Sequence, residues 1–314
     1  MKKTAIQIAL LASMFLIIGY FLFNNTRPDN EIILTIPPGR TGSAIASILY
    51  ENKLILNKKL FLFMADLSGS TKKFQTGTYK FNLKNSLFEI INMLKKGKTY
   101  AIKVTIPEGF TSEQIADILA DKNLADRTTL LNIVNKQKLE GYLFPETYYI
   151  PYGASEEKIV SMMKNVFDKN YSSEIKEAAL KNKMSGTAVI TLASIIEKEA
   201  KTDEERGIIS GVFYNRLKKS WMLESCATVR YALKKYDKKV IYKDLNVKSP
   251  YNTYRHPGLP PGPICNPGLA SIKAAVNPAQ TDMMFFFATG DGNHEFSKYY
   301  RQHIERQKNA KTKK

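Results

Sequence analysis

The tightest restriction on the fold of this chain is a repeat. Leu34-Thr-Ile-Pro-Pro-Gly-Arg-Thr-Gly-Ser-Ala-Ile-Ala-Ser-Ile-Leu49 returns as Val104-Thr-Ile-Pro-Glu-Gly-Phe-Thr-Ser-Glu-Gln-Ile-Ala-Asp-Ile-Leu119, at a constant offset of 70 residues. Identical pairs include Thr35/Thr105, Ile36/Ile106, Pro37/Pro107, Gly39/Gly109 and Thr41/Thr111, then Ile45/Ile115, Ala46/Ala116, Ile48/Ile118 and Leu49/Leu119. Each copy reads as a strand, a Pro-x-Gly turn and a helix. Thr41 and Thr111 are natural N-caps, and Ile45, Ile48 and Leu49 supply an i, i+3, i+4 stripe. Two copies are too few for a solenoid, so the reading is a duplicated small α+β unit.

Between the copies the pattern predicts a helix over 57–67, a strand over 76–82 beginning near Gly77, and a helix over 86–96 stopped by Gly97. Residues 139–153 are aromatic-rich with two prolines and read as a structured loop. Helices follow at about 155–169 and 172–181, then around 187–200 and 203–218. The basic tail 308–314 is expected to be disordered.

The N-terminus sets the expected location. Lys2 and Lys3 precede an apolar run from Ala5 to Phe23, about the length that crosses a bilayer. No small-x-small cleavage site follows, which favours a retained anchor over a removed signal. Residues 1–4 form the cytoplasmic end, 5–23 the transmembrane helix and 24–30 a polar linker, so the remainder is exported. The formal net charge of +18 calls for an anionic neighbour. No zinc-finger or RNA-binding signature is present, so nucleic acid is not the expected partner.

Chemistry concentrates in two stretches. In Thr187-Ala-Val-Ile-Thr-Leu-Ala-Ser-Ile-Ile-Glu-Lys-Glu-Ala200, a helical wheel gathers Val189, Leu192, Ala193, Ile195 and Ile196 on one arc. Glu199 falls inside that arc and Glu197 near its edge. A carboxylate aimed at a core is costly unless paired or neutral, and desolvation raises its pKa, which makes it a candidate proton donor. The alternative is a structural ion pair with a basic residue. The second stretch, residues 249–268, holds too many prolines and glycines for regular structure. Its Tyr251, Asn252 and Asn266 combine aromatic faces with amides, a mix suited to sugars. No Gly-x-Ser-x-Gly, Walker loop or His-Glu-x-x-His occurs. His256, His294 and His303 lack i, i+4 spacing, so no metal and no cofactor is expected. Two cysteines, Cys226 and Cys265, stand either as free thiols or as one disulfide in an oxidising compartment.

Several stretches together resemble one family, the endolytic murein transglycosylases (MltG, YceG-like). They are Glu140-Gly-Tyr-Leu-Phe-Pro-Glu-Thr-Tyr148, Ala193-Ser-Ile-Ile-Glu-Lys-Glu199, Val212-Phe-Tyr-Asn-Arg-Leu217, Ser249-Pro-Tyr-Asn-Thr-Tyr254, Gly258-Leu-Pro-Pro-Gly-Pro263, Asn266-Pro-Gly268 and Ser271-Ile-Lys-Ala-Ala275. His294, Phe296 and His303 fit the family's C-terminal pattern. Independently, the strand-helix-helix-strand order of 31–82 resembles the LysM module, a peptidoglycan-binding fold, with a generic packing subdomain as the alternative. The resemblances imply an α+β chain: transmembrane helix, LysM-like α+β subdomain over 31–100, and a mixed, mainly helical catalytic domain over 101–307. They imply an inner-membrane, single-pass protein with an extracytoplasmic catalytic domain, acting on peptidoglycan glycan strands near peptidoglycan synthases.

The implied reaction is non-hydrolytic cleavage of the MurNAc-GlcNAc bond to leave 1,6-anhydroMurNAc ends, terminating or setting the length of new strands. Glu199 is the implied catalytic residue, with Glu197 as fallback, and Tyr251, Asn252 and Asn266 are candidates to orient sugar. The chain departs from the family at Glu224-Ser-Cys-Ala-Thr228, where many members carry Gln-x-Asp-Pro-Thr. A Cys226–Cys265 bridge would tie this segment to the Pro-Gly loop. Two alternatives stand beside this reading: a hydrolytic muramidase with a second carboxylate (Glu224 or Glu146), and a membrane-anchored wall-binding scaffold without catalysis.

Overall fold

The computed structural model describes residues 28–236, 238–290 and 292–312. The expected cytoplasmic end, transmembrane helix and most of the linker, together with the last two residues of the tail, lie outside the described residues. Among the described residues no helix is long and apolar enough to cross a membrane. The chain divides into two compact units. One holds the described residues up to Ile102 together with Tyr149–Gly153, and the other holds Lys103–Tyr148 and the chain from Ala154 onward. The architecture is mixed and mainly helical, with two-stranded sheets.

In the first unit, β1 (Glu31–Ile36) leads into α1 (Gly42–Glu51) and α2 (Lys58–Leu67) and pairs with β2 (Gly77–Asn82), before α3 (Leu87–Lys96). β1 and β2 are antiparallel, with Ile32 opposite Phe81 and Thr35 opposite Thr78. Ile36, Leu49, Phe61, Tyr79, Phe81, Ile90 and Leu94 are fully buried and form the core. α3 begins with a Ser86–Glu89 capping box and ends at Gly97 in the left-handed conformation, φ 61°.

The duplication runs further than the repeated residues. β3 (Ala101–Thr105), α4 (Ser112–Asp121), α5 (Arg127–Gln137) and β4 (Thr147–Pro151) repeat the order strand, helix, helix, strand. Thr41 and Thr111 both cap, accepting from Ala44 N (3.3 Å) and Gln114 N (3.2 Å). Lys53 and Asn123 both turn left-handed after the helix, at φ 58° and 53°. The next residue then donates back five positions, Leu54 to Leu49 and Leu124 to Leu119, each at 2.9 Å. β4 corrects the reading of 139–153 as loop throughout. Tyr148 and Ile150 are buried and Tyr149 exposed, the alternation of a half-buried strand, with Pro151 at its end.

The remaining elements are α6 (Glu156–Asn170), α7 (Ser173–Lys181), α8 (Gly186–Glu199), α9 (Asp203–Lys218), α10 (Cys226–Ala232), α11 (Leu269–Val276), β5 (Phe285–Ala288), β6 (His294–Ser297) and α12 (Tyr300–Thr312). α8 is the axis, packed by α7, α9, α10 and α11. Every residue from Val189 to Ile196 is at most 1% exposed, Thr191 and Ser194 included. The expected one-sided apolar arc is therefore a helix buried all round. Ser194 in it is satisfied: its Oγ donates to Thr191 O (2.7 Å) and accepts from Ile264 N (3.0 Å). Truncating Leu192 to Ala would cost about 2–5 kcal/mol. Gly141 lies where the loop after α5 meets α8. At φ +88° a Cβ there would stand 2.5 Å from Pro263 Cβ and 2.9 Å from Ile190 Cγ2. α12 continues through Thr312, into the stretch expected to be a disordered tail. An Arg301–Glu305 pair one turn apart (3.0 Å) supports its exposed face.

Candidate active site

Glu199 is the last residue of α8, where the buried helix reaches open space. Ala200 takes extended backbone (φ −66°, ψ 140°) and ends the helix. The half-buried Glu199 side chain lines a cavity of about 460 Å³, with Arg216, Glu224, Cys226, Tyr254, Phe285–Phe287, His294 and His303 on its walls. Among the described residues, the hydrogen bond on this carboxyl comes from Ser225 Oγ to Glu199 Oε1, at 2.5 Å.

Ser225 is held in turn by the Ser249–Tyr254 loop. Thr253 Oγ1 accepts from Ser225 N (3.0 Å) and lies 2.9 Å from Thr228 Oγ1, which donates to Ser225 O (2.8 Å). Glu224 N donates to Thr253 O (3.1 Å). One threonine thus fixes the start of α10 and aims Ser225 at the end of α8. Arg216 builds the adjoining wall. Its buried guanidinium donates to the carbonyls of Met222 (3.1 Å), Leu223 (3.0 Å) and Met284 (2.8 Å) and to Glu224 (3.0 Å). On the far wall His294 is anchored to α9: Glu205 accepts its backbone N–H (2.6 Å) and its Nδ1–H (2.7 Å). His303 packs against Phe285 and Phe287, at 5.4 and 5.5 Å between ring centres. Burial, then the Arg216 charge, lowers its pKa. Burial raises that of Tyr254, whose hydroxyl lies 3.1 Å from Cys226 Sγ.

The sequence candidates separate. Glu199 lines the cavity and Glu197 does not. Glu197 is 7% exposed, accepts from Gly268 N (3.0 Å) at the start of α11 and lies 3.5 Å from Arg206 Nη1. It has the structural ion-pair role that stood as the alternative reading for this helix. Asn252 and Asn266 are both 0% exposed. Asn252 Nδ2 donates to Leu245 O (2.8 Å) and Val247 O (2.9 Å), and its Oδ1 accepts from Tyr254 N (3.0 Å). Asn266 Oδ1 accepts from Leu143 N (2.8 Å), and Nδ2 donates to Phe110 O (3.0 Å) and Glu140 Oε1 (3.2 Å). Both amides order loops through these bonds. Tyr251 is half-buried against Tyr231, 4.9 Å between ring centres, and does not line the cavity.

The cysteines are unbridged. Cys226 Sγ meets Tyr254, while Cys265 Sγ is buried 3.3 Å from Ser194 O. Ser225, Thr253 and Arg216 were not singled out from sequence, although each lies in a stretch quoted there. Their roles depend on contacts across 25 to 68 residues of chain, which spacing does not display.

A model of the YceG-like family matches residues 34–309. A Bacillus subtilis (strain 168) protein described as an endolytic murein transglycosylase is 38% identical over 317 residues, covering 91% of this chain and 87% of its own. A Streptococcus pneumoniae (strain D39) protein of the same description is 30% identical over 299 residues, 82% of this chain. The chain spans only 54% of that relative's length. In three dimensions, the crystal structure of a yceG-like protein from Listeria monocytogenes matches with a TM-score of 0.58 and 36% identity, over 88% of this chain and 99% of that one.

Proposed function

The chain belongs to the YceG-like family, and from that premise we propose that it is an endolytic lytic transglycosylase of peptidoglycan in which Glu199 is both proton donor and proton acceptor. The observation that carries the reading is the placement of Glu199. It is a carboxyl on the last turn of a rigid buried helix, facing a cavity and held by Ser225.

In the proposed reaction, Glu199 gives its proton to the oxygen joining N-acetylmuramic acid C1 to N-acetylglucosamine. The C1–O bond breaks and positive charge develops at C1. The Glu199 carboxylate then takes the proton of the muramic C6 hydroxyl as O6 bonds to C1. The products are a 1,6-anhydro end and a free N-acetylglucosamine hydroxyl, with no water consumed and the acid restored. Ser225 fixes one carboxyl oxygen, so the other meets the substrate in a set direction.

The apolar run 5–23 behind Lys2 and Lys3 supports a single-pass inner-membrane anchor with the catalytic unit outside the cytoplasm. The strand-helix-helix-strand order of the first unit supports a LysM-like wall-binding role. Cutting would then be confined to strands emerging from nearby synthases, ending them or setting their length.

A second reading is favoured by Glu224, which lines the same cavity as Glu199. A muramidase would use it as the second carboxylate, activating water. Its ion pair with Arg216 (3.0 Å) argues for a wall-forming role instead. Product mass spectrometry on uncrosslinked glycan strands separates the readings: anhydro ends support transglycosylation, reducing ends hydrolysis. Glu199→Gln should abolish cleavage with folding intact, and retained cleavage in that variant would remove the residue from the role.

A further inference from the structure

The cavity at Glu199 is not closed at its outer side. Phe285 and Tyr300 line it and also line a neighbouring cavity of about 590 Å³ that contains Lys218, Lys219, Trp221 and Tyr299. A third depression, lined by Glu224, Trp221, Phe285 and Tyr300, shares walls with both. The shared walls set these depressions side by side along Phe285 and Tyr300, as a groove flanking the Glu199 cavity. Its outer part is aromatic and open: Trp221 is 45%, Tyr299 57% and Tyr300 63% exposed. Exposed aromatic rings in a groove are costly to leave wet and suit the apolar faces of sugar rings.

The groove is also basic. Asp282 is paired with Lys298 at 2.9 Å and Glu224 with Arg216 at 3.0 Å, so both of its carboxylates are already answered. Lys218 and Lys219 remain as excess positive charge, Lys219 Nζ lying 5.9 Å from the Trp221 ring centre. The Trp221 backbone is fixed where its N donates to Arg216 O at 2.9 Å, and its ring lies 6.0 Å from that of Phe285 between centres.

In a peptide-bearing strand the backbone sugars are uncharged, because each muramic lactyl carboxyl is tied up as an amide, so the backbone gives no reason for that charge. The peptides attached to its muramic acids end in carboxylates. We propose that the groove around Trp221 is a specificity site for peptide-bearing strands, in which the aromatic rings seat sugars beyond the bond being cut and Lys218 and Lys219 take the stem-peptide carboxylates. This inference rests on the transglycosylase reading above.

Trp221 is the single tryptophan of the chain, so its emission reports directly on the groove. The full-length protein in detergent, carrying Glu199→Gln so that strands persist, is titrated with uncrosslinked peptide-bearing strands and with the same strands stripped of peptides by an amidase, the lactyl carboxyls so exposed being capped as methylamides. The expected result is a shift in emission with both, and an affinity about tenfold higher for peptide-bearing strands at low ionic strength that shrinks with added salt. In the otherwise wild-type protein, a Lys218→Gln/Lys219→Gln variant should raise KM about tenfold for peptide-bearing strands while leaving kcat and the KM for stripped strands unchanged.

Equal affinity for the two strand types, an emission that neither strand moves, or a shift produced by anionic phospholipid vesicles but not by strands would each overturn the proposal. Reducing ends in place of anhydro ends from the wild-type protein would instead overturn the transglycosylase reading, and the fluorescence result would still judge the groove. Circular dichroism checks that the lysine variants, altered only at exposed positions, keep the fold.

Discussion

Glu140 offers a quantitative test of the packing behind the site. Its carboxyl accepts from Ser112 N (3.1 and 3.3 Å to its two oxygens) in the first turn of α4, and from Asn266 Nδ2 (3.2 Å), with the Tyr231 hydroxyl at 3.5 Å. Burial pushes its pKa up from 4.5 to about 7, against the opposing pull of the Ser112 hydrogen bonds. An acid whose folded pKa is raised holds a proton that the unfolded chain has already released. Between those two values the folded state binds more protons, so stability falls as pH rises and levels off above the folded pKa.

Moving a carboxyl from 4.5 to about 7 corresponds to about 3 kcal/mol, most of which falls between pH 5 and pH 8. Glu140→Gln keeps an acceptor for Ser112 and cannot ionise. Urea unfolding at pH 5, 6, 7 and 8, followed by Trp221 emission in the same unit, should show the wild type losing about 2–3 kcal/mol relative to the variant across that range. Parallel pH profiles for the two proteins would refute the reasoning, because every other titrating group is common to both.

Further outcomes follow from the same geometry. Ser225→Ala removes the hydrogen bond on Glu199 and should lower kcat by about ten- to a hundredfold with little change in KM, read by release of new glycan ends. Gly141→Ala forces a side chain into Pro263 and Ile190 at a positive φ and should destabilise the fold by more than about 2 kcal/mol in denaturant titration. Asn252→Ala leaves the Leu245 and Val247 carbonyls without their donor and should cost about 1–3 kcal/mol of stability. Intact mass after alkylation should be the same with and without reductant, with Cys226 labelled in the folded protein and the buried Cys265 only after unfolding.

What could be read from the residues was whatever is local or periodic. Thr41 and Thr111, Gly97, and the helices holding Ile45 and Glu199 stand where capping chemistry and apolar spacing place them. The repeat was legible because strand, turn and helix are each encoded within a few residues. The wheel misjudged α8 because it counts apolar residues and cannot see four helices closing over Thr191 and Ser194. That the Asn252 and Asn266 amides hold backbone in place is not displayed by the loop that carries them, because their carbonyl partners lie from 5 to 156 residues away. Residues 147–151 read as loop because aromatics beside two prolines resemble a structured turn, and the pairing that makes them a strand lies some forty residues earlier, at β3. The Ser225–Glu199 contact was invisible for the same reason: it joins two helix ends that only the Thr253 loop brings together.

An acid mounted on a spine gripped from every side cannot travel to meet its target. On the proposed reading the sugar chain has to do the bending, presenting its linkage to a carboxyl mounted in one place. An enzyme working in that way would select strands by suppleness as much as by chemistry: a slack, freshly extruded polymer could fold into the slot, whereas one already stretched into a taut mesh could not.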